Sequence, residues 1–405
     1  MKKIVVIGGG HAAAQFCASL IEAKCEAQLV LVSDDTHLPY QRPPLSKTYL
    51  KDEQPAPAWL RGESYYTDNG ADVHLEARAV AIDRQARTVQ LHDGRTLPYD
   101  QLVLATGTRA RRLPMLAESH DNVHTLRSLG DAARLRRQLH EAANVVVIGG
   151  GFIGLEIAAT AGQLGKKTTV LEAADRLLGR SASPEVSAYL LRKHGDAGVD
   201  IRLGAAVDRV EAQEGRVTGV WVGQDHFPAD VLVIGIGAEP NDELAREAGL
   251  DCDNGIVVDD CMRTSDPNIL AIGDCTAFPS AWLGRRIRLE SVQNANDQAR
   301  CAVLCIKGEP QPYSALPWFW SDQGGVRLQI AGVPDSSHRR VLRGDPSDDK
   351  FSVLYFSGDG TLSCVESINA APDHMAARKL IAGRKPIPED QAADASVPLK
   401  TLDQA

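Results

Sequence analysis

The chain has 405 residues, enough for two or three domains at ~150 residues each. With 43% hydrophobic and 24% charged residues it can bury sizeable cores, and a net charge of −9 argues against a general binder of nucleic acid or anionic membrane. Aromatics are scarce at 5%, while 35 glycines point to close backbone approaches over aliphatic sheets.

At the start, the apolar run 4–7 stops at Gly8-Gly9-Gly10, too short for the core of a signal peptide. The longest uncharged stretch, 142–155, falls short of the ~20 residues of a membrane span. Eight cysteines include no Cys-x-x-Cys pair and no zinc or iron–sulfur spacing, so buried thiols in a reduced, cytoplasmic protein without a metal are expected.

The chain repeats itself. Val5-Val6-Ile7-Gly8-Gly9-Gly10 recurs letter for letter as Val146-Val147-Ile148-Gly149-Gly150-Gly151. The first copy leads into a helix over 11–23 and a strand over 28–33, closing on Asp34-Asp35; the second into a helix over 152–164 and a strand over 168–171, closing on Glu172. These are two βαβ nucleotide-binding units. Gly8 and Gly149 allow the tight turn, Gly10 and Gly151 let backbone N–H groups approach a pyrophosphate, and Ala13 and Gly154 let the helix pack closely on its strand. The positive helix end faces the phosphates, and the acid closing the second strand accepts from a ribose. Glu172 would pair with a 2′-hydroxyl and repel a 2′-phosphate, which favours NADH over NADPH.

Three further segments accompany the repeat: Leu104-Ala105-Thr106-Gly107-Thr108, Gly237-Ala238-Glu239-Pro240-Asn241, and a strand leading into Ile272-Gly273-Asp274. Together they resemble the flavoprotein pyridine-nucleotide reductases of the glutathione-reductase fold. The resemblance implies an α/β fold of two Rossmann-like dinucleotide-binding domains plus a C-terminal α+β domain, with FAD on the first unit and NADH on the second. The disulfide reductases of that group carry a redox cysteine pair where this chain has Tyr40-Gln41-Arg42-Pro43-Pro44-Leu45-Ser46-Lys47. That segment, with Leu289-Glu290-Ser291-Val292-Gln293-Asn294-Ala295, Pro317-Trp318-Phe319-Trp320-Ser321-Asp322-Gln323 and Ser396-Val397-Pro398-Leu399-Lys400, resembles the FAD-dependent NADH:ferredoxin reductases of Rieske dioxygenase and haem-thiolate monooxygenase systems.

This resemblance assigns residues. Gly8, Gly10, Ala12, Ala13, Asp34, Arg42, Lys47, Ala79, Ala105, Thr106, Gly107, Arg127, Asp274, Val292 and Trp320 fall to FAD; Gly149, Gly151, Ile153, Gly154, Glu156, Glu172 and Gly237 fall to NAD. Asp34 matches the ribose acid better than Asp35. Lys47, Glu156 and Trp320 are the expected catalytic residues: a lysine near the flavin stabilises arriving negative charge, a carboxylate moderates it, and a tryptophan marks the edge where electrons leave. Plainer readings stand beside these: a surface cation for Lys47, a core-edge salt bridge for Glu156, a helix N-cap for Asp274, core packing for the tryptophans.

The implied reaction takes hydride from NADH to FAD and passes electrons singly to a 2Fe–2S ferredoxin feeding a bacterial oxygenase. An acidic ferredoxin would dock near Arg285, Arg286, Arg288 and Arg300, and Arg339, Arg340 and Arg343 form a second basic cluster. A flavin oxidase or peroxide reductase, or an interaction protein resembling apoptosis-inducing flavoproteins, are the rival readings. One departure concerns the docking surface: Gly324-Gly325 follows Gln323 where the family has an aromatic residue. The expected domains are 1–111 and 244–319 for FAD, 112–243 for NAD and a C-terminal α+β domain over 320–405, in a monomer or weak homodimer. Strands are expected over 326–333, 351–356 and 362–368, and a helix near 373–382.

Overall fold

Each repeat folds around its own aliphatic strand. The structure, a computed structural model, describes residues 1–116 and 120–404 and divides into two units, each assembled from three stretches of chain.

The first unit takes Met1–Gln41, Pro57–Arg109 and Ala238–Ala315. Its centre is a five-stranded sheet in the order Ile269–Ala271, Gln101–Leu104, Lys2–Ile7, Ala27–Val32, Asp72–His74, with every pair parallel. A parallel strand covered on both faces reads as an unbroken apolar run, and Ile4, Val5 and Val6 are almost wholly buried. Helix His11–Glu22 buries Ala13, Phe16, Cys17 and Leu20, the three- and four-residue spacing of one helical face, and packs against helix Val292–Ile306.

The second unit takes Arg42–Ala56, Ala110–Gly237 and Leu316–Ala405. One sheet repeats the first unit's plan, in the order Asp200–Leu203, Lys167–Glu172, Asn144–Ile148, Val231–Ile234, Val123–His124, again all parallel. A second sheet is antiparallel: Trp318–Gln323, Val326–Gly332, Leu362–Ile368, Lys350–Phe356, Arg339–Asp345. Helix Ala371–Gly383 packs on it. Leu155, Val186 and Leu190 share one core with Val326, Leu328, Phe351 and Val353, so this sheet and the helices of the nucleotide unit bury their apolar faces together. The segment Arg42–Ala56 joins through Leu50, which lies fully buried in the cluster of Leu135, Leu139 and Ile157.

Strand Arg339–Asp345 takes Arg343 out of the expected second basic cluster. Arg343 is buried; its Nε donates to Asp373 at 2.9 Å and its terminal nitrogens to the carbonyls of Ala392, Asp394 and Val397. Arg339 pairs with Glu389 and Arg340 with Glu185. All eight cysteines are unbridged, and burial pushes the Cys17 thiol up to about 12. Among the described residues no helix is long and apolar enough to cross a membrane.

Candidate functional site: two glycine turns and a Lys47–Glu156 pair

The glycine turns are closed to any side chain. Gly8 has φ +127°, and a Cβ there would stand 2.2 Å from the carbonyl oxygen of Ala105; Gly149 has φ +107°, and its Cβ would stand 2.4 Å from that of Gly235. Gly154 is pressed in the same way on the Gly149 carbonyl, at 2.2 Å. Helices His11–Glu22 and Phe152–Gln163 both begin at an extended glycine, Gly10 or Gly151, with no side-chain cap and no acid in the first turn. Their N–H groups and positive ends are therefore presented to an anion. Two dinucleotide pyrophosphates fit these two turns.

The acids differ between the units. Gly150 N–H donates to Glu172 Oε2 at 2.6 Å and Ala174 N–H to Oε1 at 2.8 Å, which fixes the carboxylate beside the second turn. Gly8 N–H bonds to the Val32 carbonyl as Gly149 N–H does to that of Leu171, so Ser33 is the register equivalent of Glu172. Asp34 is the next residue and is exposed; Asp35 accepts from Tyr40 OH and His37.

Among the other expected FAD residues of the first unit, the 105–107 loop and Asp274 sit in segments held by polar contacts. Thr106 Oγ1 donates to the Asn241 carbonyl at 2.6 Å, and Asn241 returns bonds to the carbonyls of Thr106 and Gly107. Asp274 lies in a 3₁₀ turn, Gly273–Cys275, which begins after Ile272 and caps no α-helix. Gly273 abuts Ala12 so closely that a Cβ would stand 2.9 Å from Ala12 Cβ. The buried Gln298 holds this turn, its Oε1 accepting from Gly273 N–H at 2.7 Å and from Thr276 at 3.0 Å. Sequence reasoning missed Gln298; a glutamine inside an amphipathic helix gives no signal of this kind. Val292 opens helix Val292–Ile306 behind its Ser291 cap, and Ala79 opens strand Ala79–Asp83.

Arg42, Lys47, Arg127 and Trp320 belong to the second unit. Arg42 Nη1 donates to the Arg127 carbonyl at 3.0 Å. Pro43–Ser46 forms a 3₁₀ turn, and proline at its start favours that tight geometry. The turn places Lys47 Nζ 2.6 Å from Glu156 Oε2. Glu156 is buried on helix Phe152–Gln163 and also accepts from Ser46 Oγ at 2.5 Å and Ser321 Oγ at 2.6 Å. One turn further along that helix, Thr160 Oγ1 donates to the Ser46 carbonyl and ties the turn down. A buried carboxylate with three donors keeps its place, because any donor lost would leave a desolvated acceptor. Ile153, beside the second glycine turn, is exposed. Gly237, at φ +106°, accepts from Arg111 N–H.

Trp318 and Trp320 point to one side of strand Trp318–Gln323 and stack at 5.5 Å, with Arg378 over the Trp318 ring at 4.9 Å. Gly324 and Gly325 have φ +59° and +99°, the values of a type I′ hairpin turn, which explains two glycines where bulk was expected. In the basic patch, Arg288 pairs with Glu290 at 2.7 Å and Arg300 with Asp297 at 2.6 Å, while Arg286 donates to the carbonyls of Val258 and Ala277.

Residues 2–299 match the family model described as pyridine nucleotide-disulphide oxidoreductase, and residues 318–403 the one described as reductase C-terminal. Rhodocoxin reductase of Rhodococcus erythropolis is 43% identical over 98% of this chain and 93% of its own length. The ferredoxin–NAD(+) reductase component of the anthranilate 1,2-dioxygenase system of Burkholderia cepacia is 41% identical over 98% of each chain. The crystal structure of the covalent putidaredoxin reductase–putidaredoxin complex matches with a TM-score of 0.95 at 40% identity, over 99% of this chain and 98% of that one. The fold is the expected α/β, glutathione-reductase-like arrangement with a C-terminal domain. From its two glycine turns to its antiparallel C-terminal sheet, the chain belongs to the pyridine nucleotide-disulphide oxidoreductase family and carries that family's reductase C-terminal domain.

Proposed function

We propose that the chain accepts hydride from NADH on FAD and passes electrons one at a time to a 2Fe–2S ferredoxin that feeds a bacterial oxygenase. The observation that carries this reading is Lys47, held 2.6 Å from Glu156 and standing in the segment where disulfide reductases of this resemblance carry a cysteine pair. The names of its relatives support it: one is a ferredoxin–NAD(+) reductase component of a dioxygenase system, and putidaredoxin reductase has been seen joined to putidaredoxin.

FAD, when bound, supplies the conversion between two-electron and one-electron chemistry. Residues 1–111 and 244–319 hold it through Gly8, Gly10, Ala12, Ala13, Asp34, Ala79, the 105–107 loop, Asp274 and Val292, with Arg42 and Arg127 as further contacts. Residues 112–243 hold NADH: Gly149, Gly151, Ile153, Gly154 and Gly237 admit its backbone, and Glu172 accepts from its ribose. Lys47 offers the flavin a fixed positive charge, and Glu156 sets how much of that charge is felt. Trp320, in the 320–405 domain, marks the exit for electrons. An acidic ferredoxin docks at the basic patch, chiefly at the exposed Arg285 and Arg286, since Glu290 and Asp297 offset Arg288 and Arg300. The unbridged thiols suit a reducing cytoplasm, where the chain works as a monomer or weak homodimer.

Lys47→Met tests the site. The expected result is flavin reduction by NADH slowed roughly tenfold or more, with a lowered midpoint potential. A rate and potential equal to those of the unaltered protein would remove Lys47 from the machinery.

A further inference from the structure

The Lys47–Glu156 pair is the end of a longer chain of buried groups, all within the second unit. Ser321 Oγ donates to Glu156 Oε1 at 2.6 Å, the oxygen not engaged by Lys47. Gln323 Nε2 donates to Ser321 Oγ at 3.1 Å, and Gln323 Oε1 pairs with His194 Nε2 at 2.9 Å. Ser321, Gln323 and His194 are all nearly inaccessible to water. The directions are forced. Glu156, paired with Lys47, is a carboxylate that only accepts, so Ser321 donates its one proton to it and accepts from Gln323 Nε2; Gln323 Oε1 then faces His194, whose Nε2 carries the proton. Burial also holds the His194 imidazole below its usual range, which favours the neutral ring.

The strand's alternation explains how these residues reach the helix. Phe319, Ser321 and Gln323 share one face of strand Trp318–Gln323, opposite Trp318 and Trp320. That face lies along helix Phe152–Gln163: Phe319 meets Phe152 at 4.5 Å between ring centroids, Ser321 meets Glu156, and Gly324 faces Ala159. The Gly324–Gly325 turn pins the register by pairing Gln323 with Val326 and Ser321 with Leu328. A slip of one residue would turn Ser321 and Gln323 away from Glu156 and the tryptophans toward it.

We propose that Ser321, Gln323 and His194 are positioning residues: they hold Glu156 Oε1 away from Lys47, so that only Oε2 offsets the lysine charge presented to the flavin. The proposal rests on the reading of Lys47 and Glu156 as the flavin-tuning pair. Removing the Ser321 hydroxyl releases both carboxylate oxygens to Lys47, which weakens its effective charge.

The test compares Ser321→Ala, Ser321→Thr, Lys47→Met and the Ser321→Ala/Lys47→Met double variant, as FAD-loaded full-length proteins. The readouts are the flavin midpoint potential, the rate of flavin reduction by NADH, and the NADH dissociation constant. Ser321→Ala is expected to lower the potential and slow reduction about fivefold with NADH affinity unchanged. Ser321→Thr, which keeps the hydroxyl, restores both, and Ser321→Ala adds nothing in the Lys47→Met background. Should Ser321→Ala fail to hold FAD, Gln323→Met breaks the chain one residue further out and carries the same comparison with a smaller shift. If Lys47→Met lowers potential and rate while Ser321→Ala and Gln323→Met leave both unchanged, the positioning role is overturned and the pair survives. If Lys47→Met changes neither, the reading beneath the proposal falls instead.

Discussion

Under the proposed function, Glu172 is both structural and selective. Its two oxygens accept from Gly150 and Ala174 N–H groups, so the carboxylate is already oriented beside the second glycine turn. A ribose hydroxyl can donate to it without rearrangement, whereas a 2′-phosphate would meet a fixed negative charge. Glu172→Ala is expected to raise the KM for NADH about tenfold, narrow the preference over NADPH and leave bound FAD unchanged; steady-state kinetics with both nucleotides check this. This residue was legible because the repeat aligns it with a second glycine motif. Ser33, its register equivalent in the first unit, was not: a serine carries no charge signal, and the adjacent Asp34 and Asp35 dominate the pattern. Ser321 and Gln323 stand out in the sequence only as letters of a motif, since their chemistry depends on a helix more than 150 residues away.

At the scale of elements, helices and strands with clean periodicity were read closely. The expected helix over 11–23 is His11–Glu22, and the strands over 351–356 and 362–368 are Lys350–Phe356 and Leu362–Ile368. Strand Arg339–Asp345 was hidden because its arginines imitate a solvated run, and only tertiary contacts bury Arg343. Strand Leu362–Ile368 also carries Glu366, which accepts from Ser183 N–H through both oxygens and from Tyr355 OH. Ser183 caps helix Pro184–Asp196, so this carboxyl joins the C-terminal sheet to that helix. Burial raises Glu366 from 4.5 to about 7. A raised acid favours the folded state in its protonated form: its contribution is complete below about 4.5 and is lost as pH rises through about 7. Urea unfolding is therefore expected to show stability falling across that window, with a slope of up to ~1.4 kcal/mol per pH unit from this group. Glu366→Gln should flatten that part of the curve; parallel profiles for the two proteins would assign the pH dependence elsewhere.

For the molecule as a whole, a net charge of −9 and a local basic patch work in opposite senses on an acidic partner. If an acidic ferredoxin docks as proposed at the exposed arginines, its association is expected to be sensitive to salt. Composition argues against a general nucleic-acid binder but does not locate this patch, because pairing with Glu290 and Asp297 decides which arginine charges are offset. In the proposed reaction electrons enter as a pair and leave singly to an iron–sulfur protein. Its most direct test is anaerobic stopped-flow: reduce the FAD-loaded protein with one equivalent of NADH, then mix it with 2Fe–2S ferredoxins and follow flavin and cluster absorbance together. The expected result is rapid flavin reduction, then reduction of two clusters per NADH by a preferred ferredoxin, slowed as ionic strength rises. Rapid flavin reduction followed by equally slow electron transfer to every ferredoxin would contradict it.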